Sequence, residues 1–262
     1  MGPIKPILLL MLAAIATPLW AGDNTPCLNY HHGAINRGFV DKPVIHLVFT
    51  GHEYNDGGHI IRKTLRQQKI KAHFFFTGDF YRNPENKKLI KRLRRDGHYL
   101  GAHSDKHLLY AAWEDRDSLL VSREQFITDL EQNYAEMAKF GISKPEALLF
   151  MPPYEWYNSV VAQWTTQLDL TLINYSPGTR SHADYTTPDM GKAYVDSQTL
   201  YDNILKYESS SDHGLNGFIL LIHLGTHADR ADKLYNKLDS LISELKNRGY
   251  EFSLMNFQLK EG

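Results

Sequence analysis

Cysteine is almost absent from this chain of 262 residues: Cys27 is the only one, so no disulfide can form within the chain. Charge of one sign is not in excess either, because 29 Lys and Arg residues face 30 Asp and Glu residues, for a formal net charge of -1. This balance gives no electrostatic reason to expect nucleic acid or an anionic membrane surface as a partner. With 42% hydrophobic residues, the chain suits one large globular domain that is stabilised by its core.

Long hydrophobic runs are lacking except at the N-terminus. Residues 1–21 combine one lysine, Lys5, with a short apolar stretch and a small residue, Ala21, at the end. This pattern is typical of a secretory signal peptide, since the apolar stretch is too short to span a bilayer. We therefore expect cleavage after Ala21 and export of the protein to a periplasm or to the exterior, without stable membrane insertion. Residues 22–42 are then an N-terminal extension, and 43–262 form the folded domain.

Seven apolar runs alternate with amphipathic segments along the rest of the chain. The runs are VIHLVFT (44–50), IKAHFFFT (70–77), HYLGAH (98–103), ALLFMP (147–152), LTLINYS (170–176), GFILLIHL (217–224) and YEFSLMN (250–256). Most are continuously apolar, as expected for strands that are buried on both faces. The segments between them have helical periodicity, and several end in glycine, which favours a helix C-terminus. This alternation predicts an α/β fold, and the number of strands favours a parallel barrel over an open sheet.

Polar residues follow directly after these runs, where the chemistry of a parallel barrel collects. They lie in TGHEYNDGG (50–58), HSDKH (103–107), PPYEWYN (152–158), SPGTRSHADYTTPD (176–189) and LIHLGTH (221–227). We expect all of these segments to meet on one rim.

His103 and His107 are candidate metal ligands. At a spacing of four residues they can present two imidazoles on one side of a helical turn, although a histidine-rich chain also produces such pairs by chance. Glu53 is the best candidate for a third ligand, with His52 and Asp56 beside it. Two histidines and one carboxylate would leave positions open for water and substrate, as in catalytic metal sites.

His223 ends an apolar run and is either a core histidine or an acid–base catalyst. Its place at a strand end favours the catalytic interpretation, with His227 as the less favoured alternative. Pro152 and Pro153 stiffen the backbone before Tyr154, whose backbone N–H is a candidate donor to an oxyanion. The simpler interpretation of this segment is a rigid turn.

The order of these motifs resembles that of the polysaccharide deacetylases, the nodulation-protein-type carbohydrate esterases. HSDKH (103–107) is similar to the family's His-(Ser/Thr)-x-x-His metal pair, and KAHFFFTGDF (71–80) to its second strand. PPY (152–154) matches the end of an Arg-x-Pro-Tyr motif, and LIH (221–223) matches Leu-x-His. The resemblance implies a distorted parallel barrel with fewer than eight strands. It also implies removal of acetyl groups from N- or O-acetylated sugars with a divalent metal, often zinc.

Two departures from the family pattern concern its catalytic base. The family's Asp-Asp pair, a base followed by a metal ligand, is absent from VFTGHEYNDGG (48–58). Either His52 and Glu53 stand in for the pair, or Thr50 and Gly51 occupy those places and supply neither function. Met151 occupies the position of the motif arginine, which usually pairs with the base.

The resemblance therefore implies a metal held by Glu53, His103 and His107, and a base that is His52 or a carboxylate such as Glu155 or Asp56. Asp184 is a candidate to orient His223. Candidate substrate-binding residues are Trp156, Tyr157, Tyr175, Tyr185, Arg180 and Asp184. Two other functions stay open: an exported carbohydrate-binding protein without catalysis, and a hydrolase that cleaves another bond on the same scaffold, such as a cyclic amide or a glycosidic bond.

Overall fold

The structure, a computed structural model, describes residues 1–2 and 28–257. Most of the expected signal peptide and Cys27 therefore lie outside the described residues, and the signal peptide stays a prediction. The strands are β1 (Asn29–His31), β2 (Ala34–Arg37), β3 (Val44–Gly51), β4 (His73–Phe76), β5 (Tyr99–Ala102), β6 (Leu149–Phe150), β7 (Thr171–Leu172), β8 (Phe218–His223) and β9 (Glu251–Phe252). The helices are α1 (Gly58–Gln67), α2 (Gly78–Arg82), α3 (Lys87–Arg95), α4 (Arg123–Ala138), α5 (Ser159–Thr166), α6 (Ser197–Ser210) and α7 (Leu238–Asn247).

The nine strands found in residues 28–257 belong to one sheet, in the order β1-β2-β8-β3-β4-β5-β6-β7, with β9 beside the start of β3. The strands from β8 to β7 run parallel, whereas β1 and β2 form an antiparallel hairpin that pairs with β8. A parallel bridge between Ile35 and Ile173 brings the two ends of the sheet together. The sheet is thus a curled, distorted barrel, which confirms the predicted fold class. The hairpin lies in the segment that sequence analysis assigned to an extension, so residues 29–37 are part of the sheet.

Two apolar layers hold this sheet in place. Inside the curl, Val48, Phe75, Met151 and Leu221 pack together with neighbouring aliphatic side chains. The alternate residues of the same strands face the helices, as Phe49 does, and form the larger outer core. Successive residues of a strand point to opposite faces, so a strand covered on both faces has a continuously apolar sequence.

The helices follow their strands as the amphipathic segments predicted. Gly97, Gly141 and Gly249, which follow α3, α4 and α7, have positive φ values of 78°, 73° and 93° and provide the left-handed residue that ends a helix. Among the described residues, no helix is both long enough and apolar enough to cross a bilayer. Because β3, β4, β5, β6 and β8 are parallel, their C-terminal ends meet at one edge of the curled sheet.

Candidate active site

A cavity of about 520 Å³ opens at this edge. Its walls come from the segments after β3, β5, β6 and β8 and from the long connection between β7 and α6. The lining includes Thr50, His52, Glu53, Tyr54, His103, His107, Tyr154, Glu155, Tyr185, Met190, His223 and His227. The structure thus places the polar segments that follow the strands around one cavity.

His103 is oriented as a metal ligand would be. Its ring is buried, and Nδ1 lies 2.8 Å from the carbonyl oxygen of Met151, which can only accept a hydrogen bond. Nδ1 therefore carries the proton, and Nε2 keeps a free lone pair. The ring of His107 lies 5.1 Å from that of His103. Burial, with neighbouring imidazoles, lowers the pKa of His103 to about 3 and that of His107 to about 2, so both rings are neutral at physiological pH.

The turn that carries both rings is not helical, which corrects the helical turn expected from the spacing. Ser104 and His107 have positive φ values of 70° and 56°, and the segment is a bend without helical hydrogen bonds. Asp129 of α4 stabilises this bend: its carboxylate accepts hydrogen bonds from the Ser104 hydroxyl at 2.6 Å and from the N–H groups of Asp105 and Lys106 at 3.0 and 2.9 Å. Side-chain hydrogen bonds thus replace the helical ones.

Asp105, inside the same bend, is also anchored. Its buried carboxylate accepts two hydrogen bonds from the guanidinium of Arg82, at 2.7 and 2.9 Å. Sequence reasoning missed Arg82 and Asp129, because each lies more than 20 residues from the bend and no local pattern links it to HSDKH.

His223, which lines the same cavity, forms a hydrogen-bonded pair with Asp184. Asp184 Oδ1 lies 2.6 Å from His223 Nδ1, and Oδ2 accepts the backbone N–H of His223 at 2.9 Å. Burial by itself would lower the pKa of His223, but the Asp184 carboxylate outweighs burial, and the net pKa is raised. The pair therefore favours a protonated imidazole with its Nε2 edge free, the arrangement of a general acid.

Arg230, fully buried, fixes the segment that carries Asp184. Its guanidinium donates to the carbonyl oxygens of Thr186 at 2.6 Å and Val195 at 2.9 Å. Sequence reasoning missed Arg230. Its position three residues after His227, in the polar segment GTHADR that follows β8, could have marked it as a residue near the site.

Tyr154 and Glu155 lie on a strained turn that also lines the cavity. Both have left-handed backbones, with φ values of 58° and 52°, which are unfavourable for residues other than glycine. The backbone N–H of Tyr154 has no hydrogen-bond partner among the described residues. Burial raises the pKa of the Glu155 carboxyl from 4.5 to about 7; His223 lowers it and Asp184 raises it further. A carboxyl with such a pKa suits a general base at neutral pH.

Comparison with known proteins identifies the family. The profile of the family described as "Polysaccharide deacetylase" matches residues 40–173, about half of the chain. The chain belongs to the polysaccharide deacetylase family.

Curated relatives agree with this assignment. The chain is 28% identical over 188 residues to a peptidoglycan-N-acetylglucosamine deacetylase of Bacillus cereus, a match that covers 72% of this chain and 75% of the relative. It is 25% identical over 233 residues to the peptidoglycan-N-acetylmuramic acid deacetylase PdaA of Bacillus subtilis, covering 88% of this chain and 77% of the relative.

Solved structures share the fold. The structure of Bacillus subtilis PdaA, a family 4 carbohydrate esterase, superposes with a TM-score of 0.66 at 23% identity and covers 85% of this chain and 83% of PdaA. BA3943 of Bacillus anthracis, described as a pseudoenzyme of the same family, has a TM-score of 0.64 at 18% identity and covers 86% of this chain and 68% of BA3943. The fold therefore occurs both in enzymes and in at least one inactive relative.

His52 and Glu53, the candidate substitutes for the Asp-Asp pair that the resemblance implies, lie in two different environments. The His52 ring stacks on that of His107, with centroids 4.6 Å apart, and its Nδ1 lies 3.1 Å from the Thr77 hydroxyl. Burial lowers the pKa of His52. The Glu53 side chain is 64% exposed, with Oε1 4.0 Å from His52 Nε2.

The deacetylase family implies a divalent metal. The cavity supplies two suitable metal ligands, the histidines, but no assembled third one. His103 and His107 are neutral, adjacent imidazoles, and one of them has a fixed free lone pair. Across residues 28–257, however, no three His, Cys, Asp or Glu side chains lie close enough together to hold an ion. Glu53 is thus not assembled with the histidine pair, and its role as a ligand stays a prediction.

The other candidate residues lie in four different environments. Asp56 joins two loops, because its carboxylate accepts hydrogen bonds from the Tyr235 hydroxyl at 2.6 Å and the Thr226 N–H at 2.9 Å. These bonds give Asp56 a structural role. Tyr157 is buried in the core, and Arg180 is exposed and lines neither the 520 Å³ cavity nor the one beside it. The remaining aromatic candidates line cavities: Tyr185 lines the one described above, and Trp156, Tyr175 and Tyr185 line a second.

Proposed function

We propose that this protein is an exported, metal-dependent deacetylase that removes acetyl groups from N- or O-acetylated sugars of a polysaccharide or oligosaccharide. One observation carries the proposal: a single cavity is lined by a neutral histidine pair, by His223 with Asp184 hydrogen-bonded behind it, and by a carboxyl with a pKa of about 7. Hydrolysis of an amide or ester needs an electrophile for the carbonyl, a base for water and an acid for the leaving group, and these groups supply the last two.

His103 and His107, with Glu53 as third ligand, would hold the metal, zinc being the expected one. Such an ion polarises an acyl carbonyl and lowers the pKa of bound water. Glu53 would reach the pair by rotating its exposed side chain, which costs little because no buried contact is lost.

Glu155 is our preferred base, and His52 is the alternative. In its ionised form, Glu155 takes the proton of the attacking water. The free N–H of Tyr154 then donates a hydrogen bond to the tetrahedral oxyanion. Protonated His223, oriented by Asp184, gives its proton to the departing amine or alcohol. The exposed Tyr185 contacts the sugar at the rim.

Export is part of the proposal and is supported by the sequence of residues 1–21, with its lysine, short apolar stretch and terminal Ala21. N-terminal sequencing of the protein recovered from the cell envelope or the medium tests it. We expect the chain to begin at residue 22; an intact Met1 on the exported protein would contradict cleavage.

The activity is tested by metal content and acetate release together. We would compare wild type with Glu53→Ala and His107→Ala, and with His59→Ala as a control, since His59 is exposed on α1 away from the cavity. The substrates are acetylated chito-oligosaccharides and acetylated xylan. We expect about one metal ion per chain in wild type and control, and loss of both metal and acetate release in His107→Ala. Metal that survives Glu53→Ala would disprove the carboxylate ligand.

A carbohydrate-binding protein without catalysis is the second candidate. The observation that favours it is the exposed Glu53, which is not assembled with the two histidines. This function predicts neither bound metal nor released acetate in the same experiment, with binding of oligosaccharides retained.

A further inference from the structure

A second cavity, of about 370 Å³, adjoins the first. The two share Tyr154, Glu155 and Tyr185 as a common wall. A chain molecule that places one unit in the first cavity can therefore continue over this wall into the second. The second cavity is also lined by Trp113, Arg116, Trp156, Tyr175 and His182, among others.

Exposed aromatic side chains lead from one cavity to the other. Trp113 is 52% exposed, and its ring lies 5.7 Å from that of Tyr154 and 5.3 Å from that of Trp156. Tyr154 and Tyr185 are 45% and 48% exposed. Large aromatic surfaces left open to solvent at a cavity mark a binding site. The flat, apolar face of a sugar ring matches such surfaces.

Arg116 is held in position at this cavity. Its guanidinium lies 3.5 Å over the ring of Trp156, and Nη1 donates to the Tyr157 carbonyl at 3.1 Å. Asn158 fixes the backbone by donating to the Arg116 carbonyl at 3.0 Å. Stacking on an aromatic ring pre-organises the planar guanidinium, so its remaining N–H groups can bind a carboxylate with little loss of entropy.

Arg116 has no ion-pair partner in the described part of the chain. Among the described residues, no carboxylate lies within 4.0 Å of its guanidinium, and no other Lys or Arg lines the cavity. The cavity's acidic lining consists of Glu155 alone, whose pKa of about 7 leaves it partly neutral at neutral pH. The second cavity therefore offers an unpaired cation beside an aromatic platform.

We propose that the second cavity binds the neighbouring sugar of the substrate chain, and that this sugar carries a carboxylate that Arg116 recognises while Trp113 packs on the ring. This inference rests on the proposed function, since it names the substrate class of the same site: an acetylated oligosaccharide with an acidic sugar beside the reacting one.

Equilibrium binding, measured by calorimetry, tests the inference without requiring turnover. The probes are two tetrasaccharides of equal length, one made of N-acetylglucosamine and one in which that sugar alternates with N-acetylmuramic acid. We expect wild type to bind the acidic tetrasaccharide about tenfold more tightly, as one charge-assisted bidentate contact provides. The preference should shrink as salt is added.

Two variants and one modified ligand separate recognition from folding. Arg116→Gln should bind both tetrasaccharides equally, and Arg116→Lys should keep part of the preference. Arg123→Gln, which changes an exposed arginine hydrogen-bonded to Gln167, should bind as wild type does. Amidation of the sugar carboxylates should abolish the preference of the unmodified protein, so the test holds even if Arg116→Gln is unstable.

Equal affinity of wild type for the two tetrasaccharides, or a preference that survives Arg116→Gln in a folded protein, would overturn the inference. Acetate release is recorded separately on the same samples. Selective binding without acetate release would refute the proposed deacetylase activity and leave the recognition of an acidic sugar in place. Acetate release without selective binding would support the activity and refute the recognition of an acidic sugar.

Discussion

Replacing Glu155 with glutamine should stabilise the protein at alkaline pH and at the same time remove most of its activity. Glutamine has nearly the shape of glutamate but cannot ionise. The carboxyl of Glu155 is half-buried between the two cavities, and burial raises its pKa to about 7. Above that pH the folded protein must hold a poorly solvated negative charge, which Glu155→Gln removes.

The size and pH range of this effect follow from the pKa. The rise from the ordinary value of 4.5 to about 7 corresponds to about 3 kcal/mol, at about 1.4 kcal/mol per tenfold change in proton affinity. Below pH 4.5 the carboxyl is protonated in both the folded and the unfolded state, so no difference is expected. Between pH 4.5 and 7 only the unfolded state ionises, so wild type loses stability relative to Glu155→Gln as the pH rises.

The assay is thermal or urea unfolding at pH 4 and pH 8, with acetate release measured on the same preparations. At pH 8 we expect the melting temperature to rise by roughly 6–12 °C. We also expect kcat to fall by about 10²–10⁴-fold, the usual contribution of a general base. Glu131→Gln, an exposed carboxylate of α4, is the control and should change neither quantity. Unchanged stability at pH 8 would refute the burial of the charge, and full activity in Glu155→Gln would transfer the role of base to His52.

Two further changes test the groups around the histidines. Asp184→Asn removes the charge that raises the pKa of His223, so we expect the alkaline limb of the pH–rate profile to move to lower pH and kcat to fall by up to about 10²–10⁴-fold; an unmoved limb would exclude His223 as the acid. Asp129→Ala removes three hydrogen bonds from the HSDKH bend, and we expect a loss of about 3 kcal/mol of stability in urea unfolding together with weaker metal binding. Wild-type metal affinity in that variant would show that the bend does not depend on Asp129.

The strands and most helices could be predicted from the sequence because the fold repeats a simple pattern. Each of the seven runs contains a strand, from β3 to β9, and the longest of these strands, β3 and β8, are buried along most of their length. The missed elements, β1, β2 and α2, have three to five residues each, too few for a period to be visible. The sequence also predicted that one cavity would bring together His103, Glu155 and His223, because the C-terminal ends of parallel strands lie at the same edge of a sheet.

The conformation of the site could not be predicted in the same way. The left-handed backbones of Ser104 and His107 lie in a bend whose anchor is far away in sequence, as the hydrogen bonds of Asp129 to the HSDKH bend show. The side-chain conformation of Glu53 could not be predicted from the sequence either, since an exposed carboxylate in a glycine-rich loop has several rotamers of similar energy.

Met151 stands at the position where the family resemblance implies an arginine, and this difference bears on which residue acts as the base. The family resemblance implies an arginine here that pairs with a base aspartate, and such pairing holds the pKa of a carboxyl low. In this protein Met151 packs fully buried inside the curled sheet, and only its carbonyl serves the site, by orienting His103. Glu155, four residues later, has a pKa that burial raises to about 7 against the opposing effect of His223. A carboxyl tuned by burial needs no arginine, and an arginine kept without its aspartate would be an unpaired charge in a closed site. If Glu155 is the base, as we propose, the site needs neither the aspartate nor the arginine that the resemblance implies.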